Sequence, residues 1–198
     1  MINSKVAVII VNWKKYDITS ICIESILDST NSNFKIILVD NESDNKKVKN
    51  FKYRNEIKII QNKKNEGFSK ANNIGIDYAL KNNYDYTILI NNDTIVEKNL
   101  IEVLLKTAEA KSFSVVQPLI LKYSGKEIWN AGGRINYFFG NFITRNKLGN
   151  SLNSSLELTE WFTGCCCLFK TKIFKDIGKL DERFFAYYED VDFSLRLK

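Results

Sequence analysis

Continuous apolar runs alternate along this chain with stretches in which apolar residues recur every third or fourth position. "KVAVIIVNW", "FKIILVD", "IKIIQN" and "YTILIN" are short, β-branched and apolar without interruption, the pattern of strands buried on both faces. Between them Ile18, Ile21, Cys22, Ser25 and Ile26 fall at helical spacing, as do Ala71, Ile74, Tyr78 and Ala79 after Phe68. Leu100, Val103, Leu104 and Ala108 mark a further helix. Beyond residue 111 the pattern weakens. "EIWNAGGRINYFFGNFI" predicts short strands around a glycine turn, "EWFTGCCCLFKTKIF" one more strand leading into a helix, and "LDERFFAYYEDVDFSLRLK" a final helical segment.

The repeated strand–helix order predicts an α/β fold with a mostly parallel, Rossmann-like sheet and helices on both faces. Ligands of such sheets bind beyond the carboxyl ends of the strands. Polar residues gather at those ends: Asn12 and Trp13, Asp40 and Asn41, Asn62 to Asn65, then Asn91, Asn92 and Asp93. No Pro- or Gly-rich linker interrupts the chain, so residues 1–198 read as one domain, with a regular strand–helix half over 1–111 and a less regular half over 112–198.

Composition narrows the chemistry. There is no histidine, which removes Ser-His-Asp and Cys-His catalysis and leaves Asp, Glu, Lys, Tyr or Cys as the general base. Lys and Arg exceed Asp and Glu by 29 − 23 = 6, a diffuse positive balance that suits phosphorylated substrates or an anionic membrane face and does not indicate nucleic acid. The basic stretch Lys46–Lys64 reads as a solvated connection. Cys165, Cys166 and Cys167 alternate in direction on a strand and cannot converge on one zinc, so they and Cys22 read as buried, reduced thiols. "VAVIIV" is far shorter than the roughly 20 apolar residues of a membrane span and lacks a signal-peptide pattern, which points to a cytoplasmic protein with at most peripheral contact at the inner membrane face.

The glycine-rich phosphate cradles GxGxxG and GxxxxGK[ST] are both absent, so a phosphate-handling sheet needs another device, such as a divalent metal. "NND" offers one carboxylate, Asp93, with Asn91 or Asn92 adding carbonyl or water contacts, a set that suits Mg²⁺, while on its own the triplet reads more readily as an Asx turn ending the strand. "VDNESD" ends a strand and could accept the imide N–H of uracil or thymine, or simply turn. "NEGFSKANN" opens a helix at Gly67, either as an anion-favouring terminus or as ordinary initiation. "YYEDVD" places three carboxylates beside two tyrosines, where acids complement a helix start or, among aromatics, gain the raised pKa of a base.

In order, "VIIVNW", "ICIESIL", "IILVDNESD", "NEGFSKANNIGIDYAL", "LINNDT", "AGGRI", "WFTGCCCLFK" and "FKDIGKLDERFFAYYEDVDFSLRLK" resemble the family 2 glycosyltransferases of GT-A fold, nearest their bacterial rhamnosyltransferase-like branch. The resemblance implies inverting transfer of a sugar from a UDP or dTDP donor to a saccharide or lipid-linked acceptor in surface polysaccharide synthesis, with Mg²⁺ or Mn²⁺. It implies that Trp13 stacks on the base and Asp40 binds its imide edge. Asn65, Gly67 and Asn72 would line the nucleoside pocket, with Asn12, Asn41 and Phe68 in the same nucleotide-binding set. Asp93 would hold the metal, Asn92 would be the variable middle residue of the motif, and Asn91 would assist through sugar or water contacts. Trp161 and Gly164 would shape the donor–acceptor pocket, and Asp190, with Glu189 beside it, would be the base. Lys14 stands where relatives often carry Asn. Relatives also continue past the "ED" helix, so the chain is expected to be truncated at Lys198. A sugar nucleotidyltransferase and a non-catalytic nucleotide-binding module are the alternatives.

Overall fold

The computed structural model describes residues 4–30, 33–43, 48, 50–53, 55–139, 141–147 and 156–198. Its strands are β1 (Val6–Asn12), β2 (Phe34–Asn41), β3 (Lys58–Asn62), β4 (Tyr86–Asn91), β5 (Val115–Val116), β6 (Ile120–Leu121), β7 (Ile128–Asn130), β8 (Gly133–Asn136), β9 (Asn141–Thr144) and β10 (Cys166–Lys170). Its helices are α1 (Tyr16–Leu27), α2 (Phe68–Lys81), α3 (Leu100–Ala110), α4 (Ile173–Asp176) and α5 (Glu189–Arg196). Asp44 and several cations of the basic stretch (Lys46, Lys47, Lys49 and Arg54) lie outside the described residues.

A six-stranded sheet runs in the order β3-β2-β1-β4-β10-β5. The first four strands are mutually parallel, while β10 runs antiparallel to both β4 and β5. The chain winds from β1 outward through β2 and β3, then returns to the other flank of β1 as β4. This reversal opens a crevice at the carboxyl ends of β1 and β4. Registers Asn12↔Asp40, Asn41↔Asn62 and Val11↔Asn91 bring the polar strand ends to one level. Two small antiparallel pairs, β6–β7 and β8–β9, stand outside the main sheet.

Strand alternation feeds two cores. Val6, Val8 and Ile10 of β1 pack with α1 and α3 on one face, while Ala7 and Ile9 pack with α2, α4 and α5 on the other. Cys166 and Cys167 fall into opposite cores for the same reason.

The buried stripes on two helices are rotated from those the periodicity suggests. On α1, Thr19 and Ile23 are buried with Tyr16, Cys22 and Ile26, while Ile18 and Ile21 are exposed. Polar anchors in the first turn decide this: Thr19 Oγ1 donates to Asn12 Oδ1 at 2.8 Å and the Tyr16 hydroxyl to Asp40 Oδ1 at 2.7 Å. On α3, Val103 is exposed and Ile101 and Leu105 join Leu104 and Ala108 inside. On α2, Ile74 and Tyr78 are only half-buried against the core that Ala71, Ile76 and Ala79 enter.

Gly75 sets how closely α2 lies on the sheet: a Cβ there would stand 2.5 Å from Ile9 Cγ2, inside the core. Gly→Ala in an exposed helix interior stabilises by roughly 0.8–1 kcal/mol. Here overpacking of about 1–3 kcal/mol opposes that gain. Gly75→Ala is therefore expected to lower the urea midpoint, and pairing it with Ile9→Ala to give less loss than the two single changes summed. A raised midpoint in the single variant would contradict the close packing.

Candidate active site

A cavity of about 1020 Å³ lies over the carboxyl ends of β1, β2 and β4. Its walls are built from three polar knots and one strap.

The first knot surrounds Asp40, which is fully buried. Its Oδ1 accepts from Asn12 Nδ2 at 3.0 Å and from the Tyr16 hydroxyl at 2.7 Å, and its Oδ2 accepts from the Ser43 amide at 3.0 Å. Burial, then the hydrogen bond to Asp40, pushes the Tyr16 phenol far up, so it stays a donor. Asn12 is also fully buried, its Oδ1 accepting from Thr19 Oγ1 and the Lys15 amide. The structure thus places Asn12 and Asp40 behind the wall. This differs from the expectation that Asp40 meets a base edge directly, because protein donors already occupy its carboxylate. Trp13, just beyond, is half exposed and lines the cavity, with the Lys14 ammonium 5.5 Å from its ring centre.

The second knot is Asn41. Its Nδ2 donates to Asn65 Oδ1 at 2.7 Å and to the Gly67 carbonyl at 3.2 Å, and its Oδ1 accepts from Asn62 Nδ2 and the Glu66 amide. This holds Asn65, Gly67 and Phe68 on the cavity wall. Asn72, also expected at the nucleoside, is buried in α2 with its amide on the Phe68 carbonyl and does not line the cavity.

The third knot joins the turn after β4 to its surroundings. Asn92 Nδ2 donates to Thr19 Oγ1 at 2.9 Å, and the Asn91 amide donates to the Cys165 carbonyl at 2.8 Å. Asp93 then projects exposed into the cavity. The Oδ1 of Asn91 is buried with no hydrogen-bond partner among the described residues. An exposed carboxylate and an unpartnered amide oxygen are hard oxygen donors and fit Mg²⁺ or Mn²⁺. No cluster of three or more Cys, Asp or Glu is gathered for a metal among the described residues, so such an ion would complete its shell with ligand oxygens and water.

The strap is the segment leading into α5. Gly67 has φ +82°, and a Cβ there would lie 2.6 Å from the Phe185 carbonyl oxygen, which accepts from the Phe68 amide at 2.6 Å. Only glycine permits both the conformation and the approach. Asn73 ties the same segment down, exchanging hydrogen bonds with Leu180 and donating to Glu182. Tyr187 and Tyr188 then adopt φ +72° and +70°, a left-handed conformation that is strained for bulky side chains. Phe142 packs edge-on against Tyr188 at 5.7 Å and against buried Trp161 at 4.9 Å.

The strap delivers Glu189 and Asp190. Asp190 accepts from the Gly164 amide at 2.9 Å and the Val191 amide at 2.8 Å, and burial raises its pKa against those bonds. Gly164 leaves a Cβ position 3.5 Å from Glu189 Oε1 and 3.8 Å from Asp190 Oδ2. Glu189 is buried with Oε2 unpartnered among the described residues, and burial, then the neighbouring Asp190 charge, pushes its carboxyl up to about 7. Burial also raises the thiols, Cys22 to about 11 and Cys165 to about 12, so neither is a nucleophile at neutral pH.

Asn91, Asn92, Asp93, Trp161, Gly164, Glu189 and Asp190 thus line one cavity with Trp13, Asn41, Asn65, Gly67 and Phe68. Sequence reading missed Lys15, Trp129, Asn130, Phe142, Thr163 and Phe185 on the same walls. A network from the Thr163 amide through Gln117 to buried Asn130 was equally hidden.

A family model described as Glycosyl transferase family 2 matches residues 7–178. The chain belongs to glycosyl transferase family 2. It is 25% identical over 193 residues to the low-salt glycan biosynthesis hexosyltransferase Agl10 of Haloferax volcanii, covering 97% of this chain and 61% of that protein. It is 24% identical over 145 residues to the rhamnosyltransferase WbbL of Escherichia coli K12, covering 66% of this chain and 54% of that one. The chain therefore spans only about half to three-fifths of these relatives. The S. aureus TarS 1–349 structure in complex with UDP-GlcNAc superposes with a TM-score of 0.70 at 17% identity, over 97% of this chain and 52% of that one, which shows the GT-A fold of this family 2 chain. A mannosyltransferase of Pyrobaculum calidifontis in complex with GDP-Man and Mn²⁺ gives 0.63 at 11% identity, over 90% of this chain and 48% of that one. Among the described residues no helix is long and apolar enough to cross a membrane.

Two outcomes follow from the site's polar chemistry. Asp40→Ala leaves buried donors on Asn12 and Tyr16 unpaired, each costing about 1–3 kcal/mol. Equilibrium unfolding should show a loss of at least that size before any ligand is added, and an unchanged midpoint would mean the knot is not formed. For Glu189, the folded carboxyl binds its proton more tightly than the unfolded one, so between about pH 4.5 and 7 the native state carries more protons and stability falls as pH rises. Glu189→Gln should flatten that fall when urea midpoints of the two proteins are compared across pH 5–8; parallel curves would contradict the burial.

Proposed function

We propose that this chain is the donor-binding and catalytic region of an inverting glycosyltransferase. It would move a sugar from a UDP- or dTDP-linked donor to a hydroxyl of a saccharide or lipid-linked acceptor in surface polysaccharide synthesis. The observation that carries this reading is that one cavity unites Asp93 and Asn91, whose side-chain oxygen has no partner among the described residues, with buried Glu189 and its neighbour Asp190. The names of the relatives and the nucleotide-sugar complexes of the structural neighbours support it.

Trp13 presents an indole face for the nucleoside base. Asp40 acts on that contact indirectly, by seating Asn12 and the start of α1 beneath it. Asn41, Asn65, Gly67 and Phe68 form the nucleoside wall, and Asp93 with Asn91 would hold Mg²⁺ or Mn²⁺. That ion supplies charge neutralisation to the leaving diphosphate. Asp190 takes the proton of the acceptor hydroxyl. The freed oxygen attacks the anomeric carbon from the side opposite the diphosphate, whose bond to carbon breaks with the electron pair. The Gly164 and Val191 amides fix the direction of the Asp190 carboxylate, and its raised proton affinity makes it a better base. Glu189 holds a proton up to about pH 7, which relieves repulsion between the adjacent carboxyls. Trp161 acts through packing, as a buried ring that supports Phe142 on the acceptor side.

Calorimetry against UDP, dTDP and GDP, with and without Mn²⁺, tests the donor site. UDP or dTDP should bind in an Mn²⁺-dependent way, and Asp93→Ala should remove the Mn²⁺-dependent part. Equal metal sensitivity in the variant would reject Asp93 as the ligand. Asp190→Asn should slow sugar release from the donor by roughly 10²–10⁴-fold while UDP affinity falls far less; an undiminished rate would place the base elsewhere.

A further inference from the structure

A second cavity, of about 770 Å³, opens beside the catalytic one, and Trp129 and Thr144 line both. Its remaining wall includes Lys122, Lys126, Glu127 and Lys147. Lys122 pairs with Glu127, while Lys126 and Lys147 are exposed and have no ion-pair partner among the described residues. The sign of charge therefore reverses across Trp129. On one side lie Asp93, Glu189 and Asp190 with Lys15, and on the other two cations remain after pairing.

The groove is held in shape by backbone. The Gly125 amide closes on the Lys122 carbonyl at 2.8 Å and the Lys122 amide on the Glu127 carbonyl at 2.7 Å, which makes a tight turn over Tyr123 and Ser124 and places Lys126 on its returning arm. Trp129 stands next to Asn130, whose side-chain oxygen accepts from Gln117 Nε2 and the Gly132 amide at 2.8 and 2.7 Å. The strand is thus held at Asn130, and the Trp129 indole beside it is nearly half exposed at 48%. An exposed aromatic face in a groove also lined by ammonium groups matches a sugar ring bearing an acid, with stacking from the ring and charge-assisted hydrogen bonds from the lysines.

We propose that this groove is the acceptor subsite, and that the acceptor is an anionic glycan carrying a phosphate or carboxylate close to the hydroxyl that is glycosylated. The acid rests between Lys126 and Lys147, the sugar ring lies on Trp129, and the reactive hydroxyl is passed along the shared wall toward Asp190. This rests on the catalytic reading of the main cavity but names a different part of the substrate.

The test is an amide chemical-shift titration of the ¹⁵N-labelled chain with glucose 6-phosphate, glucuronic acid, glucose and inorganic phosphate, alongside vesicles of phosphatidylglycerol and a separate UDP titration. The two sugar acids should shift amides in residues 122–129 and 144–147 and bind at least about tenfold more tightly than glucose or phosphate, less so as salt is raised. The double variant Lys126→Glu/Lys147→Glu should weaken them about tenfold or more and leave UDP affinity unchanged. Trp129→Ala should weaken the sugar acids but not phosphate. Equal affinity for glucose, equal affinity for phosphate alone, or lysine-dependent binding of vesicles without binding of the soluble sugar acids would each overturn the proposal. Because Lys126 and Lys147 are exposed, their double variant remains informative even if Trp129→Ala fails to fold. UDP binding with a silent groove overturns this inference alone. A groove that titrates as expected without UDP binding upholds an anionic-glycan site and counts against the catalytic reading.

Discussion

The site depends first on one buried carboxylate. A desolvated Asp is tolerated only when donors surround it, and Asp40 receives three, from the end of β1, from α1 and from the turn after β2. Satisfying that charge fixes how α1 leaves the sheet. It therefore fixes where Trp13 stands, and also where Thr19 points, which in turn holds Asn92 and the turn that presents Asp93. An interaction that touches no cavity surface thus sets the positions of two residues that do.

The second half of the site is fastened to the first through backbone. Asn41 shapes the loop before α2, Gly67 lets the Phe185 carbonyl approach, and the strap then turns through two left-handed tyrosines into Glu189 and Asp190. Each tyrosine in that conformation costs on the order of 1–3 kcal/mol. The hydrogen bonds of Asn73, the Phe68 amide and the Asp190 carboxylate, together with the Phe142–Tyr188 contact, hold the strained turn in place.

Much of this was legible in the chain. Uninterrupted β-branched runs mark β1, β2 and β4 without ambiguity, and polar residues that halt such runs mark the ligand edge. Asp93 and the Glu189–Asp190 pair stand out because each ends or begins an element. Helix faces were harder. Periodicity favours Ile18 and Ile21 as core, and nothing in a linear pattern shows that Tyr16 and Thr19 will reach across to Asp40 and Asn12 and turn the helix. For the same reason Asp40 reads as an exposed polar end although it is sealed. Trp129, Phe142 and Phe185 were invisible as wall residues because they sit on strands of three or four residues or in a turn, too short for any period to register.

The direction of β10 has an evolutionary corollary. Because it runs against β4, it begins at the ligand edge, so the chain between β5 and β10 leaves and rejoins the main sheet there. Insertions or losses within that excursion change what stands over the opening without altering a single pairing of β1 to β4. A lineage can thus diversify the walls that this excursion contributes to the opening while the ends of β1, β2 and β4 keep their geometry.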